Sequence, residues 1–182
     1  IHASLLTNPK VVKVEQEGTK VDAISQIAYR VSQEKKGPLL RYLIRSKKME
    51  QVLVFTSSAQ QADRVCNKLI KNGFNARALH SKKSQGFRNQ AMIDFKHKGV
   101  HVLVATDVLS RGIDIEFLSF VINYELPRSP KDFIHRIGRT GRAEQQGEAI
   151  TLITAEDSQH FKVIKKKMNV TIDEIDAEQL EF

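Results

Sequence analysis

From about residue 20 onward, short apolar runs alternate with longer stretches of helical period. The runs are Ile27–Val31, Val52–Phe55, Ala76–Leu79, Val102–Ala105, Phe120–Tyr124 and Ala149–Ile153. Each is strand-sized, and several are rich in Val, Ile and aromatics, so each predicts a strand. Between them, Leu39, Leu40, Leu43 and Ile44 form one apolar face. Ala62, Val65, Cys66, Leu69 and Ile70 form another, at i, i+3, i+4, i+7 and i+8. Cys66 therefore reads as a small core residue. The punctuation agrees. Ser58 with Gln61, Ser129 with Asp132, and Thr154 with Asp157 have capping-box spacing or its Asp variant. Pro130 suits a first helical turn, and Gly73 and Gly99 sit where helices should end. Strand and helix alternating with short connections predict a three-layer α/β/α domain with a mainly parallel central sheet.

The flanks differ from this body. Residues 1–20 lack a clear period and end in the polar stretch EQEGTK, which reads as a linker. Residues 171–182, TIDEIDAEQLEF, hold five acids and no base. Their Ile172, Ile175 and Leu180 suggest loose packing on the body or the start of a further segment. The expected division is a linker over 1–20, a domain over 21–170 and an acidic extension over 171–182. The chain has 182 residues, enough for one domain with its own core. It does not begin with Met, so it reads as a piece of a longer protein. No stretch reaches the roughly 18 apolar residues of a membrane span. The first ten residues lack the basic-then-apolar order of a secretory signal. One cysteine allows no disulfide framework and no multi-cysteine metal site. A reducing, cytoplasmic setting is the expectation, and a monomer is expected because no broad exposed apolar stripe is evident.

Charge narrows the partner. The net charge is +8. Without the acidic tail, 29 bases face 16 acids, or +13 over residues 1–170. A body this basic suggests a polyanion, with nucleic acid first.

In a parallel sheet, ligands bind beyond the carboxyl ends of the strands. The segments there are FTSS, HSKKSQ, ATDVLSRGID, NYELP and, one helix further, HRIGRTGR. They are rich in hydroxyls, arginines and glycines. HRIGRTGR, His135 to Arg142, is the strongest signal. If helical, it puts His135, Arg139 and Arg142 on one face. Arginine suits phosphate because its planar fork donates two parallel hydrogen bonds and keeps its charge. Gly138 and Gly141 permit close approach of another backbone or a nucleotide. In ATDVLSRGIDI, Thr106 and Asp107 end a strand. Asp107 and Arg111 stand at i, i+4, either as a simple ion pair or as part of a site. Asp114 follows Gly112. Gln85 and Arg88 lie one turn apart at a helix start, where free N–H groups attract phosphate. Taken alone, an ordinary capped amphipathic helix is the favoured account of that segment. Ser58 reads first as a helix cap.

The order of these segments is more specific than any one of them. VFTSS, H-S-x-x-x-Q-x-x-R, TD-x-x-x-RGID, INYELP and HRIGRTGR together resemble helicase superfamily 2. Within it, residues 20–170 resemble the second, C-terminal RecA-like domain of the DEAD-box ATP-dependent RNA helicases. NPKVVKVE resembles the stretch joining that family's two domains. The resemblance implies that Arg139 and Arg142 act as arginine fingers on the γ-phosphate of ATP. It implies that His135 couples the RNA and ATP sites, that Arg136 braces the motif, that Asp107 and Arg111 serve coupling or structure, and that Gly112 and Asp114 lie by the ribose. It places Ser58, Gln85, Arg88 and Thr106 along an RNA backbone, where contacts to phosphate and sugar are independent of sequence.

Three departures concern local geometry: Ser81 where the family usually has Gly, Glu125 in place of Asp, and Glu144, Gln145 and Gln146 after HRIGRTGR. The sequence contains no G-x-x-x-x-G-K-[ST] loop and no D-E-A-D run. ATP and Mg²⁺ are therefore expected to be held mainly by an N-terminal RecA-like domain. RNA, single-stranded or duplex, is the other expected partner, and this chain alone is expected to be inactive. A DNA helicase of the same superfamily and a non-catalytic RNA-binding adaptor are the competing readings. A dinucleotide-binding dehydrogenase would need a glycine fingerprint that the sequence lacks.

Overall fold

The computed structural model describes residues 24–107, 115, 118–141 and 147–180. Seven strands form one sheet: β1 (Ile24–Arg30), β2 (Val52–Thr56), β3 (Ala76–Leu79), β4 (Val102–Thr106), β5 (Phe120–Asn123), β6 (Gly147–Ile153) and β7 (Asp173–Asp176). Among the described residues, five helices connect them: α1 (Lys36–Ser46), α2 (Ala59–Lys71), α3 (Gln85–Lys96), α4 (Pro130–Ile137) and α5 (Ser158–Met168). The strand order is β3-β4-β2-β5-β6-β1-β7, and every pairing is parallel.

The side-chain period of two explains the layers. In β2, Val52 and Val54 face a core built with α1 and α2. Leu53 and Phe55 face the opposite side, where α3 supplies Ala91 and Phe95. Further along that second side, β1 and β6 meet Phe133 and Ile137 of α4 and Phe161 and Ile164 of α5. Helices therefore cover both faces. β2 and β4 are buried at every position, as continuous apolar runs in a doubly covered sheet should be.

All six expected strands are present. β1 and β6 begin earlier than the apolar runs do, at Ile24 and Gly147. The seventh strand corrects the loose acidic tail. Asp173–Asp176 pairs with Ile27–Arg30, and Ile172 and Ala177 are buried beside it. Ion pairs replace apolar contacts along this edge: Glu174 meets Arg30 at 2.6 Å and Lys165 at 2.5 Å. A strand held by charge has no apolar alternation to reveal it.

Ile70 is a second correction, for it is 51% exposed. At 100° per residue it lies about 80° round from Ala62, at the edge of the apolar stripe. The caps follow the sequence closely. Ser58 Oγ accepts from Gln61 N at 3.2 Å, and Ser129 Oγ from Asp132 N at 3.2 Å. Thr154 and Asp157 bond reciprocally, but in the turn just before α5 rather than inside it. Gly73 takes a left-handed conformation after α2. After α3 that role falls to Lys98, at φ 59°, with Gly99 beside it.

Candidate functional site

The strand order sets the sequence of groups along the carboxyl edge. It runs from His80 and the α3 start, through Thr106 and Asp107, to Thr56–Ser58, then Asn123–Glu125. Connections diverge between β2 and β5: β2 leads toward β3 on one side, β5 toward β6 on the other. Such a divergence is where α/β sheets place ligands.

Arg136 organises this edge. It is 1% exposed. Its Nε and Nη2 donate to Asp107 Oδ1 and Oδ2 at 2.5 and 2.8 Å. Nη1 donates to Asn123 Oδ1 at 3.2 Å and to the Glu125 carbonyl at 2.6 Å. The guanidinium lies 5.0 Å from the Phe55 ring centroid. Four elements thus converge on one buried cation: α4, β4, β5 and β2. A buried charge is tolerable only when paired and hydrogen-bonded in this way. Asn123 is itself fully buried and donates to Thr151 Oγ1 at 3.2 Å. Glu125 extends the chain of contacts, its Oε2 accepting from both Ser57 N and Ser57 Oγ at 2.7 Å.

The structure pairs Asp107 with Arg136; the i, i+4 relation of Asp107 to Arg111, an ion pair or part of a site, falls on a residue outside the described ones. Arg111, Gly112, Asp114 and Arg142 lie outside the described residues, as do Glu144, Gln145 and Gln146. The single helical face for His135, Arg139 and Arg142 is corrected. α4 ends at Ile137, and Arg139 sits in the turn beyond it, its N–H donating to Arg136 O at 3.2 Å. The glycines favour this stop. The turn is then captured by β5's approach, with Leu118 N donating to Arg139 O at 3.1 Å and Thr140 Oγ1 to Leu118 O. His135 remains on α4, half-buried.

On the other flank, Arg88 Nη2 donates to Gln85 Oε1, and Gln85 Nε2 to Asn89 Oδ1 at 2.7 Å. Ser58 is exposed at the start of α2. Thr106 is 7% exposed and pairs in register with Thr56. Asp63 is held below the usual carboxylate range. Burial opposes this shift, but the Lys83 ammonium at 2.8 Å and the nearby His80 ring outweigh it. His80 is 1% exposed. Its Nε2 lies 3.1 Å from Asp63 Oδ2, without the alignment of a hydrogen bond.

Sequence reasoning missed Phe55, Asn123 and Gly147. Asn123 was findable as the lone amide closing the apolar run FVIN. Gly147 packs so closely that a Cβ there would stand 1.9 Å from Thr140 Oγ1 and 2.5 Å from Gly141 N. Among the described residues, no three His, Cys, Asp or Glu side chains cluster as metal ligands, and no helix is long and apolar enough to cross a membrane.

An all-parallel, doubly covered sheet with a cationic hub on its carboxyl edge defines a RecA-like α/β domain. Residues 34–144 match the helicase conserved C-terminal domain. The ATP-dependent rRNA helicase RRP3 of Encephalitozoon cuniculi is 36% identical over 96% of this chain and 44% of its own length. A DEAD box protein from the hyperthermophile Methanococcus jannaschii superposes with TM-score 0.80 at 35% identity, over 85% of this chain and 42% of that one. Dbp5 of S. cerevisiae, bound to RNA and ADP BeF3, superposes with TM-score 0.83 at 29% identity, over 93% and 46%. The chain belongs to the DEAD-box helicases, as their C-terminal RecA-like domain. It spans less than half the length of the curated relatives it matches.

Proposed function

We propose that this chain is the second half of a two-domain ATP-dependent RNA helicase. It faces ATP with one part of its carboxyl edge and the RNA backbone with another. The observation that carries the reading is the Arg136 hub, which locks the arginine-bearing turn after α4 to the strand ends bearing Thr106 and Ser57–Ser58. A shift of α4 against the sheet would be felt at both places.

In this reading, Arg139 and Arg142 neutralise charge developing on the transferred phosphoryl group. Such fingers are worth about 10³–10⁵ in rate in well-studied nucleotide hydrolases. Gly112 and Asp114 lie by the ribose, and His135 links the two sites. ATP with Mg²⁺ is held mainly by the N-terminal RecA-like domain. Ser58, Gln85, Arg88 and Thr106 hold phosphate and sugar without reading bases, so binding is salt-sensitive. Domain closure on single-stranded RNA would bend the strand and separate a short duplex or displace a bound protein. The similarity to ATP-dependent RNA helicases supports this assignment, as does that to Dbp5 bound to RNA and ADP BeF3.

The test is ATP hydrolysis by the full parent protein, alone, with single-stranded RNA and with the matching DNA. Stimulation by RNA only, abolished by Arg139→Ala, is the expected result. Stimulation by DNA would transfer the protein to the DNA branch. RNA binding without hydrolysis would make it an adaptor.

A further inference from the structure

One strongly charged surface takes no part in the carboxyl-edge site. It is the groove between α1 and α2. These two helices contain a single acid, Asp63, which Lys83 engages at 2.8 Å on the β3 side of α2. On the groove side, α1 presents Arg41 and Arg45 at i, i+4. Along α2, Arg64, Lys68 and Lys71 fall at i, i+4 and i+7, one row facing the other helix. None of Arg41, Arg64, Lys68 and Lys71 meets a carboxylate among the described residues. Four unneutralised bases along one seam cost self-repulsion that a fold has no use for.

The groove has shape and direction. At its lower end, a cleft of about 490 Å³ opens between Arg41, Tyr42, Arg45 and Asn72. Tyr42 is 41% exposed there. Arg45 is held ready by stacking 4.9 Å from the Phe74 ring and by donating to Asn72 O at 3.1 Å. At its upper end, Gly37 and Tyr124 join the lining. A Cβ on Gly37 would stand 3.6 Å from Arg41 Nη1 and 4.0 Å from the Tyr124 hydroxyl. Tyr124 directly precedes Glu125, which holds Ser57. The seam closes over Leu40, Val65 and Leu69 at this upper end and opens at the cleft below, so the path beside it is the row of bases on α2, which runs from near the carboxyl edge down the helix, about 20 Å.

We propose that this groove is a second, sequence-independent path for single-stranded RNA, taking up the strand as it leaves the carboxyl edge. Two rows of bases track a phosphodiester backbone, and an exposed tyrosine offers a stacking platform at the far end. The lining favours RNA over an acidic protein segment: it supplies guanidinium, ammonium, amide and hydroxyl donors, with Tyr42 as its one exposed aromatic, Tyr124 buried and its aliphatic side chains Leu40, Val65 and Leu69 buried. The proposal rests on the RNA-binding reading above.

The experiment uses this chain with labelled oligouridines of two lengths, a short one that fills only the carboxyl edge and a long one. Fluorescence anisotropy is followed against salt. Lys68→Ala with Lys71→Ala, and separately Arg41→Ala, should weaken the long strand, by about tenfold for the double variant at low salt. Each base removed should flatten the log affinity against log salt slope by about 0.7. Tyr42→Ala should weaken the long strand alone. Binding of the short strand should be unchanged by these variants and lost with Arg88→Ala. Unchanged affinity and slope for the long strand, with Arg88→Ala still effective, would overturn the groove and leave the carboxyl-edge reading standing. Poly-glutamate binding the groove more tightly than RNA would also overturn it, in favour of an acidic protein partner. A short strand that binds no form of the chain, beside a long one that depends on Lys68 and Lys71, would support the groove and count against the carboxyl edge.

Discussion

Arg136 and Asp107 form a two-pronged pair, Nε to Oδ1 at 2.5 Å and Nη2 to Oδ2 at 2.8 Å, with the guanidinium fully enclosed. The pair ties a helix to a strand end 29 residues earlier in the chain. Removing the arginine leaves the buried Asn123 Oδ1 and the Glu125 carbonyl without their donor and Asp107, partly exposed, without its cation. Arg136→Ala should cost about 3–5 kcal/mol of stability. Arg136→Lys should recover little, because a point-like ammonium cannot serve Asp107, Asn123 and the Glu125 carbonyl together. Urea unfolding of the three proteins checks both statements; full rescue by lysine would refute the second.

Gly147→Ala tests the closeness of β6 to the turn after α4. The added methyl would overlap Thr140 Oγ1 and the Gly141 amide. A cost of about 1–3 kcal/mol is expected, read as a lower melting temperature. Thr140→Ser alongside it should not relieve the clash, since the hydroxyl stays.

The α2 cap is a milder test. Ser58→Ala removes the acceptor for Gln61 N and should cost about 1 kcal/mol. Because Ser58 is also placed on the RNA face, Ser58→Asp separates the roles. It should keep the cap and weaken RNA binding by repulsion.

Acid should release β7 first. Glu174 is held below the usual carboxylate range, foremost by its hydrogen bond from Lys165, then by Arg30, with partial burial opposing. A depressed carboxylate contributes stability above its unfolded value of 4.5, and that stability is lost as pH falls through the lower folded value. The protection of Ala177 N, which donates to Arg30 O at 2.8 Å, against hydrogen exchange should therefore fall, once the slower intrinsic exchange in acid is divided out, below about pH 4.5 and before the central strands respond. Glu174→Gln should show the faster exchange already at neutral pH.

Cys66 should be inert. Burial pushes its thiol up to about 11, and only a thiolate attacks disulfide reagents. Labelling by a chromogenic disulfide at neutral pH should proceed only as fast as the protein opens. Rapid labelling of the native state would contradict its place in the core.

These cases show what the chain discloses before folding. Strands β2, β4 and β5 were legible because burial on both faces demands nearly unbroken apolar runs, β3 at the sheet edge because its apolar residues outnumber the exposed Arg77, and the hydroxyl caps announce themselves by spacing. The site was legible as a set of segments, since parallel topology gathers strand ends along one edge. What stayed hidden depends on long-range partners. Asp107 meets Arg136, 29 residues further along the chain, a partner that no local spacing announces. Arg139 continues a helical spacing, yet Leu118 draws its carbonyl out of the helix. β7 carries no apolar alternation, because Arg30 and Lys165 supply the attraction. In each instance the deciding atom lies far along the chain.

The position of β1 has a consequence for how the molecule is made. Ile24 pairs with Gly147, and Ile27 with Asp173, so the first strand of the sheet finds both neighbours only in the last third of the chain. During synthesis, β2, β3 and β4 can assemble while β1 waits without a ladder. Closing so long a loop is slow, and a waiting strand is a template for the wrong neighbour. A ribosome stalled anywhere before Gly147 would thus release a product with an unsatisfied edge. Chaperone demand should rise with the time spent translating the middle of the message.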